Sequence, residues 1–223
     1  MSRQPVQFEE KAVLIGLLLF SLLLLFIVYA LDPAITRSLI AETGLFELVS
    51  PPLWITLAAL CLFKLGANNR WGWGTAALAA IFAAREADWH KAFTADSIFK
   101  HAFYRSTEIS ATQKFWGGLA AAASVVVLLW MLVACVRHIC KTKAWRRAWG
   151  RLTLLSIALM VFTKICDRLE NTIKVDYGIL LSAHESALFH MHEEGIEMLL
   201  PILFAVALLV WAKDRARLGA TAV

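Results

Sequence analysis

Long apolar stretches separated by short polar joints dominate the chain. The first runs from Ala12 to Leu31 without a charge. At ~1.5 Å per residue, that length crosses a ~30 Å hydrocarbon core as a single helix. It is too long for the apolar core of a signal peptide, and no small-x-small cleavage pattern follows it directly. Five further spans are predicted at about 49–66, 71–91, 115–137, 151–171 and 183–212. The third and fifth are apolar over only part of their length.

The joints carry their own signals. Asp32 followed by Pro33 reads as an N-cap and a first-turn proline, with Gly44 as the stop. Ile35, Leu39 and Ile40 would then dip a short helix into the headgroups. From Lys91 to Gln113, bulky apolar residues (Phe93, Ile98, Phe99, Phe103, Tyr104) alternate with Lys100, His101 and Arg105. This pattern predicts a surface or re-entrant helix whose basic face holds a lipid phosphate. Ser182-x-x-Glu185 is a capping box opening the last span, and Pro201 should kink it. The expected fold is all-α: one polytopic membrane domain over 1–223, with six transmembrane helices and short interfacial helices in the outer loops.

Composition agrees with that picture. The 223 residues are 60% hydrophobic and 17% charged, where soluble domains average about 45–50% and about 25%. A disordered chain and an ordinary soluble enzyme are both excluded. Cys61, Cys135, Cys140 and Cys166 form no Cys-x-x-Cys pair, so neither a disulfide framework nor a thiolate zinc site is expected.

Charge changes the picture by orienting it. With six spans, 13 of the 22 bases fall on one side with only Glu9, Glu10 and Asp214; the opposite side holds 9 bases and 14 acids. Bases accumulate in cytoplasmic loops, so both termini are predicted inside, in a bacterial inner membrane. The net charge of +5 is a topology signal and does not point to nucleic acid. The basic run from Arg137 to Arg151 should meet anionic lipid.

The remaining acids are the candidate chemistry, because a charge inside a membrane helix is costly and marks function by default. Glu86 is 16 residues beyond Arg70, Asp167 is 16 beyond Arg151, and Glu197 is 16 before Lys213. All three therefore stand ~24 Å from the inner boundary. His90, Glu170, Glu193 and Glu194 form a second level one turn further out. Residues three and four apart share a helix face, which aligns His190, Glu193, Glu194 and Glu197, then Glu86 with His90, and Asp167 with Glu170. The expected site is one pocket open to the outer, periplasmic side.

So many carboxylates cannot all remain ionised at low dielectric without partners. Arg85, Lys164 and Arg168 leave an excess of acid, which a divalent zinc, iron or manganese ion would balance. Glu86, His90, Asp167, Glu170, His190 and Glu197 are the candidate ligands. Glu193 and Glu194, with Lys164, are the candidate catalytic groups, a carboxylate serving as general base toward a metal-bound water. Lys100, Arg105, Arg85 and Arg168 are candidates for substrate binding.

The expected function is thus a metal-dependent hydrolase or transferase acting on a lipid-like substrate at the outer leaflet, with membrane lipids as its partners. Its rivals are a proton- or cation-coupled transporter and a non-catalytic membrane subunit or assembly factor. The blander reading of the stripe is a structural network in which Lys164 pairs with Asp167 and Arg85 with a neighbouring Glu. His190-Met191-His192 does not converge on a helix as a copper site, and His101 and His184 read as loop histidines. Trp71, Trp73, Trp89, Trp116, Trp145, Trp149 and Trp211 read as interfacial anchors. The run Thr75 to Ala84 reads as close packing by small residues.

Overall fold

The computed structural model describes residues 8–41, 44–92 and 96–220, without the side chains of Pro33, His90, Ala92, Glu170, Asn171 and 218–220. Arg3 and Phe93 lie outside the described residues, as do the His90 and Glu170 side chains. The described elements are α1 (Phe8–Ala30), α2 (Pro33–Ile40), α3 (Leu45–Leu65), α4 (Arg70–Glu86), α5 (Trp89–Ala92), α6 (His101–Arg105), α7 (Ala111–Thr142), a 3-10 turn (Ala144–Arg146), α8 (Ala148–Tyr177) and α9 (Ala183–Ala220); among the described residues there is no strand.

Among the described residues, four stretches are long and apolar enough to cross a membrane: Phe8–Ala30, Ala34–Leu65, Ala111–Thr142 and Ala183–Arg217. Their side chains face outward in numbers that water would not tolerate. On α1, Leu18, Leu19, Leu22 and Phe26 are each more than half exposed, and α7 exposes Val126, Leu129 and Val136 in the same way. An apolar surface this continuous belongs in lipid, where the helix satisfies its own backbone. This is the surface of a membrane protein. The third and fifth predicted spans are not among these four. α4 has only 17 residues, and in α8 the apolar run that starts at Leu152 is interrupted by Lys164.

Two corrections follow at helix ends. The predicted span 71–91 is not one helix: α4 stops at Glu86, and Asp88 takes a left-handed backbone (φ 52°) before α5 begins. The Asp88 amide bonds back to the Arg85 carbonyl (3.1 Å), tightening the last turn. Glu86 and His90 are therefore not one helical turn apart on a shared face. Nor does Gly44 stop α2, which ends at Ile40 with extended Ala41 as its cap. Gly44 instead precedes α3, where a Cβ would overlap the Leu39 carbonyl. The N-cap is as read, Asp32 accepting the Ala34 amide at 2.7 Å with Pro33 in the first turn.

The chain divides into two compact units, residues 1–50 with 139–223 and residues 51–138. In the second, the small residues Ala76, Ala79 and Ala83 of α4 are buried, and Gly74 lies against Trp130 and Met131 of α7. Trp54 stacks on Phe82 at 4.8 Å. The segment ahead of α7 is not the continuous amphipathic helix its alternation suggested. Among the described residues between α5 and α7 only His101–Arg105 is helical; Phe103 is fully buried against Gly117, and the Tyr104 hydroxyl donates to the Ile98 carbonyl.

The first unit is built on α1, α8 and α9. At one end, Arg151 at the start of α8 grips Glu10 of α1 through Nε to Oε1 (2.5 Å) and a terminal nitrogen to Oε2 (2.7 Å). Lys213 near the end of α9 pairs with Glu9 at 2.5 Å. At the other end, Tyr29 of α1 stacks on His184 in the first turn of α9. Thus α9 runs antiparallel to both partners. Between the ends, Leu24, Val28, Phe46 and Met191 form a buried cluster. Leu39 and Ile40 pack on that cluster and do not dip into headgroups; Ile35 alone of the three is half exposed. Trp149 is also buried, so it does not serve as an interfacial anchor.

Candidate functional site

Polar side chains on α8 and α9 meet in the half of this unit away from the Arg151 and Lys213 end. The ion pairs there give a common zero for depth, because Arg151 and Lys213 bind adjacent residues of α1. From that zero, Lys164 is thirteen residues along α8 and Glu197 sixteen residues along α9, or ~20 Å and ~24 Å by helical rise. The flexible four-carbon stem of lysine spans the difference. Its ammonium lies 2.6 Å from Glu197 Oε1 and 4.0 Å from Glu193 Oε1.

Glu193 and Glu197, i and i+4, put both carboxylates on one face of α9. Each is 7% exposed. One turn outward on the same helix, His190 Nδ1 is 3.7 Å from Glu193 Oε2 and its ring is exposed. The two oxygens of Glu193 therefore look in different directions, one toward the partly exposed ammonium and one toward the exposed imidazole. Neither contact is at hydrogen-bond distance, whereas Lys164 and Glu197 are in direct contact. Lys164 is thus engaged by Glu197 and stands apart from Glu193.

The backbone makes room for this. Gly195, between the two glutamates, lies against Leu24 and Phe20 of α1, and a Cβ there would come within 2.6 Å of Leu24 Cδ1. Without a side chain at 195, α1 closes the flank of the cluster with apolar groups. Nothing in the charge pattern singled out Gly195; its place in an acidic stripe on an otherwise bulky helix was the available signal. Pro201 sits within α9 and provides no N–H for the Glu197 carbonyl four residues back.

Other expected members lie elsewhere. Asp167 and Arg168 of α8 are exposed, and Lys164 reaches across to α9 and does not pair with Asp167 on its own helix. Asp167, three residues further along α8, is exposed, while Lys164 sits beside the buried Glu197 of α9. Glu194 is half-buried. Glu86 belongs to the other unit, where it pairs with Arg85 at 3.4 Å. Lys100 and Arg105 bracket α6 with exposed side chains. His192 turns its Nδ1 back to the Leu188 carbonyl at 3.0 Å. Among the described residues no three His, Cys, Asp or Glu side chains are arranged to hold a metal ion.

Below the cluster, toward the Arg151 end, the buried residues are apolar: Leu152 on α8, and Leu200, Leu203, Ala207 and Val210 on α9. Ser156 and Thr163 are buried there too, but each hydroxyl donates to a carbonyl of its own helix, Leu152 at 2.9 Å and Met160 at 3.0 Å. The arrangement is a charged cluster with apolar packing on one side and the exposed His190 on the other. No protein-family profile, curated protein or solved structure matches the chain.

Proposed function

We propose that the protein is a six-span enzyme of the bacterial inner membrane, with both termini in the cytoplasm, that hydrolyses or transfers a group on a lipid-like substrate at the outer leaflet. The observation that carries this reading is Lys164 set between Glu193 and Glu197 at membrane depth, with His190 as the exposed end of the chain of titratable groups. Burying such charges is worth its cost only at a working site or in a fully paired network. Here the pairing is uneven. Glu193, freer than Glu197, takes a proton from water or a lipid hydroxyl; His190 passes it outward; and Lys164 steadies negative charge developing on the substrate.

In this reading the ammonium supplies the positive charge assigned above to zinc, iron or manganese. A metal would need Glu193, Glu197 and His190 to draw together around it with Lys164 displaced. The apolar floor of Leu200, Leu203, Ala207 and Val210 favours one-sided chemistry over transport, which needs a polar path through both halves.

The test is reconstitution of the purified protein in vesicles of bacterial lipid, followed by mass spectrometry of the lipids. Turnover of a headgroup or acyl chain is expected, and it should fall at least 100-fold, the general-base contribution, in Glu193→Gln. Unaltered lipids with wild type, or full turnover in both Glu193→Gln and Lys164→Met, would contradict the proposal. Stoichiometric divalent metal lost in Glu193→Ala would move the chemistry to the metal form of the site.

A further inference from the structure

A separate feature lies at the opposite end of the first unit, in the joint between α7 and α8. Lys141, Lys143, Arg146 and Arg147 are all exposed there, and among the described residues none has an ion-pair partner. No residue from Arg137 to Arg151 is acidic. Trp145, in the middle of the group, is 42% exposed, while its neighbours Ala144, Ala148 and Trp149 are buried.

The joint is held in shape. Lys143 takes a left-handed backbone (φ 50°), turning the chain from α7 into the 3-10 turn. Gly150 lets the Ala144 carbonyl approach so closely that any side chain at 150 would overlap it. Arg151 donates to the Arg146 carbonyl at 2.7 Å while its other nitrogens grip Glu10. Glu9 and Glu10, the nearby acids of α1, are thus engaged by Lys213 and Arg151 and leave the four cations of the joint unneutralised.

We infer that this joint is a binding surface for the headgroups of anionic phospholipids in the protein's own membrane. The apolar run of α7 ends at Val136, so Lys141 stands about 8 Å beyond it by helical rise, a distance over which a charged lipid surface is felt at physiological salt. An exposed indole among bases suits the headgroup level. A preformed cationic turn also binds without paying to order a loop. The inference is independent of the Lys164 site.

Detergent-purified, delipidated full-length protein titrated with phosphatidylglycerol and with phosphatidylcholine tests it, bound lipid being counted by native mass spectrometry. Wild type should prefer phosphatidylglycerol. Single Lys141→Gln, Lys143→Gln, Arg146→Gln and Arg147→Gln changes should each cut the preference about fivefold, and the quadruple variant should abolish it. Arg37→Gln, an exposed base on α2, should leave it unchanged. Equal retention of the two lipids by wild type, a preference that survives in all four single variants, or displacement of lipid by an equal concentration of inorganic phosphate would overturn the proposal.

Discussion

Lys164 illustrates how a charge packed against an apolar helix is accommodated. It touches Glu197 and faces Glu193, so removing it alone takes the nearest lysine from two buried carboxylates. Breaking one side of a fully buried pair is costly, whereas replacing both sides by apolar groups is often neutral; with the lysine side chain 39% exposed, solvent screens part of that cost. Lys164→Met should therefore lower thermal stability, and Lys164→Met with Glu197→Met should regain most of it while leaving the protein inactive. A double variant as unstable as the single would show that the two side chains are not coupled. Gly195 gives a second residue-scale prediction. An alanine there meets the side chains of Leu24, which is fully buried, and Phe20 and should lower the melting temperature slightly, but Gly195→Leu must push α1 away, at a cost of about 1–3 kcal/mol read from the melting temperature.

At the scale of elements, the clamp of Arg151 on Glu10 joins α1 to α8 although their contacting residues are 141 positions apart. Glu10 is buried and loses a bidentate partner in Arg151→Ala, which should cost roughly 3 kcal/mol; Arg151→Ala with Glu10→Gln should cost less than the single change. Equal losses in a denaturation series would show that the clamp contributes nothing specific. The sequence showed Arg151 and Glu10 only as charges on one side of a membrane. Their pairing depends on which helices are neighbours, and hydropathy carries no such information. The same limit explains Lys164. Residue counting placed Lys164 along its own helix, but which helix packs beside it was not legible, and that decides that Glu197 and not Asp167 is its partner. Caps fared better because they are local: Ser182 and Glu185 do form the reciprocal capping box, the Ser182 amide reaching Glu185 Oε2 at 2.8 Å. The break after Glu86 was missed because residues 83–92 contain neither Gly nor Pro, and the left-handed residue is Asp88.

For the whole molecule, the central claim is a charged centre reached from the side opposite the termini and sealed on the side they share. Side-specific labelling tests it most directly. In a variant with Cys61, Cys135, Cys140 and Cys166 replaced, single cysteines at His190 and Ser156 would be exposed to a membrane-impermeant maleimide, first in intact cells and then in inverted vesicles. His190→Cys, at the exposed end of the cluster, should react only in intact cells, and Ser156→Cys, in the floor beneath it, should react in neither. Labelling of His190→Cys from the cytoplasmic face, or of Ser156→Cys from either face, would contradict the account.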